Sequence, residues 1–63
     1  MESIFCKFTL TPYKGEVWID INKIEGIVEY ENHTLVATDH NRYDVKEKAI
    51  DILDKMIEAR EDE

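Results

Sequence analysis

Two histidines, one cysteine and a surplus of carboxylates are the side chains of this 63-residue sequence that could do chemistry. His40, with Asp39 or Asp44, can be drawn as the start of a metal site. A structural zinc site needs four ligands clustered at short spacing and held by a second shell. The sequence around His40 does not supply them, so His33 and His40 read as polar turn residues and no metal is expected. A nucleophilic cysteine needs an electropositive, partly exposed setting. Cys6 instead alternates with apolar neighbours and reads as a small core hydrophobe. The carboxylate pairs Glu29 with Glu31, and Asp51 with Asp54 or Glu58, occur in a chain that carries fifteen acids. General acid–base catalysis needs two carboxyls in different environments, and a chain this short rarely encloses the pocket that would create them. With only Gly15 and Gly26 there is no glycine-rich phosphate loop, and the nucleophile-elbow and zincin motifs are absent. Neither an enzyme nor a cofactor is expected.

Charge narrows the partner. Fifteen acids against eight bases give a formal net charge of −7. Five acids and three bases fall in residues 1–30, and ten acids and five bases in residues 31–63. Such a surface repels phosphate backbones, so direct nucleic-acid binding is disfavoured. It suits a basic protein surface, or serves solubility alone. No apolar run reaches the length of about 18 residues that spans a bilayer. Met1-Glu2-Ser3 lacks the basic stretch of a secretory leader, and Cys6 has no second cysteine to pair with, so a cytoplasmic location is expected.

The elements that would carry these residues are legible from their periods. Ile4, Cys6, Phe8 and Leu10 share one face of a first strand, opposite Phe5, Lys7 and Thr9. Pro12-Tyr13-Lys14-Gly15 reads as a turn in which Pro fixes φ and Gly tolerates positive φ. In the returning strand Glu16–Asp20, Val17 and Ile19 share a face opposite Glu16, Trp18 and Asp20. Ile21-Asn22-Lys23 is a short link. A third strand, Ile24–Tyr30, changes phase midway, and Gly26 predicts a bulge or a close backbone approach there. Thr34–Thr38 and Tyr43–Val45 are further strands, separated by an Asx-type turn at Asp39–Arg42. From about Lys46 the period becomes helical: Ala49, Ile50, Leu53, Met56 and Ile57 form an apolar stripe that Ile52 widens. Asp51 and Lys55 are spaced to pair on that helix. The expected fold is α+β: a single domain over residues 1–63, with an antiparallel β-meander of four to five strands (about 3–45) and one C-terminal helix (about 46–60) packed on one sheet face. Leu53 and Ile57 are the helix residues expected deepest in the core. A core this small and uncovered sheet edges favour self-association, with a symmetric dimer expected.

The second sheet face holds the most informative pair. Phe5 and Trp18 both point away from the face set by Val17 and Ile19, and large aromatic side chains on a solvent face mark interfaces. Tyr13 in the intervening turn joins them as a candidate. A slip of one residue would invert this phase and make Trp18 a core residue.

Leu10-Thr11, Gly15 and the hydrophobic strand after it, Ile24-Glu25-Gly26-Ile27, Thr34-Leu35-Val36-Ala37-Thr38, and Tyr43-Asp44-Val45-Lys46-Glu47 before a helix together resemble the FlbD/SwrD flagellar and swarming-motility family, and similar small phage and prophage proteins. The resemblance covers about residues 8–58. Where that family usually has an Asn-Gly turn, this chain has His40-Asn41-Arg42, and Lys48 stands where the family usually has a helix-capping Ser. The resemblance implies an accessory, non-enzymatic role beside a larger machine.

Two functions follow as expectations. One is a protein-binding accessory or regulatory module, bacterial or phage-encoded, acting through the Phe5/Trp18 face or by self-association. The alternative is an acidic inhibitor of a basic enzyme, in which Glu47, Asp51, Asp54, Glu58 and Glu61 on the helix mimic the phosphates of a nucleic acid.

Overall fold

Alternation in the first hairpin sorts its side chains onto two faces. Along β1 (Phe5–Leu10), Cys6, Phe8 and Leu10 pack on the core, and along β2 (Gly15–Asp20) Val17 and Ile19 join them. The structure is a computed structural model and describes residues 3–12 and 14–61. Beyond the hairpin, a short 3-10 turn (Ile21–Lys23) leads into β3 (Ile24–Glu29), β4 (Thr34–Thr38), β5 (Arg42–Val45) and the helix α1 (Ala49–Glu61). The fold class is α+β: five antiparallel strands in one sheet with a C-terminal helix packed on it.

The strand order is β2-β1-β5-β4-β3. β3, β4 and β5 form a meander, and the β1–β2 hairpin attaches to it through β5, a pairing that strand periods alone do not specify. That junction is narrow. Leu10 faces Val45, the Thr11 N–H donates to the Asp44 carbonyl at 3.0 Å, and the Lys46 N–H donates to the Thr9 carbonyl at 2.9 Å. Through this junction the hairpin extends the meander into one five-stranded sheet, and Phe8, Ile19, Val36, Val45 and Ile52 bury one another between the sheet and the helix.

The register of β3 shifts between Ile24 and Gly26, which is the bulge expected there. It returns both Ile24 and Ile27 to the core side. No close backbone approach accompanies it: a Cβ added at Gly26 would meet nothing within 4 Å. Neither glycine has positive φ, so Gly15 does not use the freedom expected of it, and the Thr11–Pro12 peptide is cis. At the β4–β5 turn the side chain that closes the loop is Thr38. Its hydroxyl donates to the Asn41 carbonyl and accepts the Asn41 N–H, both at 3.1 Å.

The helix differs most from expectation. It begins at Ala49, not near Lys46, because Lys46 is still hydrogen-bonded to β1 and the Glu47 carboxylate accepts the Thr9 N–H at 3.0 and 3.1 Å. Ile52 is its fully buried residue, while Leu53 and Ile57 are 46% and 54% exposed. The expected Asp51–Lys55 pair gives way to another arrangement. Lys55 donates to the Lys7 carbonyl at 2.7 Å, lies 3.9 Å from Glu47 and sits 5.1 Å above the Phe8 ring. Among the described residues no helix is long and apolar enough to cross a membrane.

Candidate protein-interaction surface

Strand pairing fixes the position of the two outward aromatic side chains. In β1–β2, Lys7 faces Trp18 and Phe5 faces Asp20. Phe5 and Trp18 are therefore diagonal neighbours, a relation that long and aromatic side chains can span. Phe5 is 57% and Trp18 62% exposed. Beside them Lys7 and Glu16 form an ion pair at 3.1 Å, which at this exposure contributes about 0–1 kcal/mol.

Phe5 and Trp18 line one cleft of about 230 Å3, with Lys23, Asp39, His40 and Tyr43 on its other walls. It lies where the open end of the hairpin approaches the β4–β5 turn. The third aromatic candidate, Tyr13, falls outside the described residues.

Asp20 holds the floor of this end together, and sequence phase had placed it on the outer face with Trp18. Its side chain is buried and accepts the Asn22 N–H at 3.0 Å and the Ile4 N–H at 3.3 Å. Burial alone would raise its pKa. The N–H groups of Asn22 and Ile4, the Ser3 hydroxyl and the Lys23 charge outweigh that and hold the carboxyl below its ordinary value. An Asp two residues before Asn22 is an Asx-turn signal, which could have identified this role.

The acidic candidates separate. Asp51, Asp54, Glu58 and Glu61 are all exposed along one line of α1. Glu47 leaves that line: it precedes the helix, is half-buried and is bound to the β1 backbone. Glu29 does unforeseen work. Its Oε1 accepts the Ala49 N–H at 2.8 Å, so a carboxylate from β3 satisfies one orphan donor where Lys48 cannot cap.

The remaining chemical side chains sit as follows. His33 is half-buried, stacked on Tyr30 at 4.9 Å between ring centroids and 3.5 Å from Asp44, so it is not a free turn residue. His40 is exposed, 3.6 Å from Asp39. Cys6 is a free thiol packed at the rim of the core, where burial pushes its pKa up and the Lys55 charge opposes the rise. Among the described residues no three His, Cys, Asp or Glu side chains gather as a group that could hold a metal ion. No family model, no curated protein and no solved structure matches the chain.

Proposed function

We propose that the protein is a small non-enzymatic binding module, an accessory or regulatory component of cytoplasmic bacterial or phage assemblies, which docks a protein through the Phe5/Trp18 end of its sheet. The observation that carries this reading is the exposure of two large aromatic side chains on adjacent strands, at the lip of one cleft. Aromatic side chains of this kind are the usual anchors of protein interfaces. Each ring is a little over half exposed, so covering it recovers about 1–2 kcal/mol, somewhat over half of what full burial contributes. The partner is a second copy or a foreign chain. A copy is favoured by the unpaired edge of β2, the strand that bears Trp18. The resemblance to FlbD/SwrD proteins supports the accessory character of the role.

Cross-linking followed by affinity purification from the producing cells tests the proposal, with the parent chain beside Trp18→Ser. The parent should yield a defined cross-linked partner, its own copy or another protein, and the variant should lose it. Equal recovery by both chains contradicts the reading. The second reading, mimicry of a nucleic acid, is favoured by the line of Asp51, Asp54, Glu58 and Glu61. It requires the complex to weaken steeply with salt and to survive Trp18→Ser.

A further inference from the structure

We infer that the outer flank of α1, together with the edge strand β3, forms a second docking groove, and that its occupant is a basic amphipathic helix of a partner protein. The apolar arc of the helix is wider than the face it buries. Ile52 and Met56 turn to the core, while Ile50, Leu53 and Ile57 are 62%, 46% and 54% exposed. These three recur at three- and four-residue spacing and so form a strip along about two turns of helix. The strip does not stand alone on a convex surface. Leu53 and Met56 form one wall of a groove of about 370 Å3, and Ile24 and Ile27 of β3 form the other. The bulge after Ile24 is what brings both isoleucines to that wall.

The borders of the groove decide what fits. Asp51, Asp54, Glu58 and Glu61 run along the helix beside the apolar strip, and Glu25 stands on the β3 side. Among the cations on or beside these elements, Lys55 turns to β1, where it donates to the Lys7 carbonyl. Lys48 and Lys23 precede the helix and β3, and Arg60 continues the Leu53/Met56 row at the C-terminal end of the groove, so the acids outnumber the cations along the strip. A second copy fits poorly. Each chain carries a net charge of −7, and a two-fold pairing through this strip would set its acids against those of the copy. Nucleic acid and anionic lipid are repelled by the same acids. A helix that lays an apolar face in the groove and brings Lys or Arg to its flanks satisfies both the apolar strip and its acidic borders.

The test uses the full chain and three synthetic peptides. One is an amphipathic helix with Leu on one face and Lys on its flanks. The second has the same composition in scrambled order, and the third carries Glu in place of Lys. Binding is read by titration calorimetry, with Ile57→Gln and Ile50→Gln as variants. Both positions are more than half exposed, so the fold survives, and circular dichroism checks that it does. The amphipathic basic peptide should bind the parent, weaken as salt rises and bind each variant roughly ten-fold less well. It should bind Trp18→Ser as tightly as the parent, which separates this groove from the aromatic face. Equal binding of the scrambled or the Glu peptide, or unchanged affinity in both glutamine variants, overturns the inference. So does a parent dimer that dissociates on Ile57→Gln, because the groove then belongs to a second copy.

Discussion

At the scale of single residues, two neighbours on the helix have opposite duties. Ile52 is fully buried beside Phe8, Val36 and Val45, and Leu53 is nearly half exposed. Ile52→Ala should cost about 2–5 kcal/mol, enough to unfold much of a marginal domain. Leu53→Ala should cost about 1 kcal/mol or less. Urea unfolding followed by circular dichroism separates the two, and equal midpoints would contradict the packing. Asp20 makes a prediction about pH. Its carboxyl titrates below the ordinary 3.8 in the folded chain. The stability it contributes is therefore complete above that value and is lost as pH falls through it toward the folded pKa. Asp20→Asn should lower the urea midpoint at neutral pH and flatten its decline in acid. A variant whose midpoint falls with acid as steeply as that of the parent would show that Asp20 is not the group responsible.

At the scale of elements, α1 is placed by three polar tethers rather than by its apolar stripe alone. Glu29 receives the first helical N–H, Glu47 holds the approach to the helix against β1, and Lys55 reaches the Lys7 carbonyl across the Phe8 ring. With these contacts in place Ile52 turns inward, while Leu53 and Ile57 stay about half exposed. The stripe read from the sequence was real but wider than one face of a sheet can cover, and periodicity does not say which edge of a wide stripe is buried. The same limit applies to the start of the helix. A run without Gly or Pro from Lys46 onward is compatible with a helix, yet Lys46 still bonds to Thr9. Strand faces were more legible, since alternation along β1 and β2 leaves two phases to choose between, and the bulge in β3 was signalled by Gly26. The β1–β5 junction was not legible, because it joins residues far apart in sequence through a single ladder pair. Removing a tether should loosen the helix before the sheet. Glu29→Ala should cost about 0.5–2 kcal/mol, the usual range for a lost helix cap. Hydrogen exchange should show faster loss of protection at the start of α1 than in β4. Uniform acceleration across both elements would mean that Glu29 acts on the whole fold rather than on the helix.

At the scale of the whole molecule, one core is bounded by two surfaces that it does not use. The aromatic end lies at β2, one edge of the sheet, and the groove under α1 lies at β3, the other edge. Large apolar side chains are thus exposed at both edges, and both proposed docking surfaces rest on that placement. The proposed aromatic docking face requires Trp18 to stand off the core. Denaturant unfolding of Trp18→Ser beside the parent and Ile52→Ala measures this directly. A midpoint that reports a change within about 0.5 kcal/mol of the parent is the predicted result, as for a surface position. A midpoint lowered as far as that of Ile52→Ala would place the indole in the core and remove the aromatic docking face.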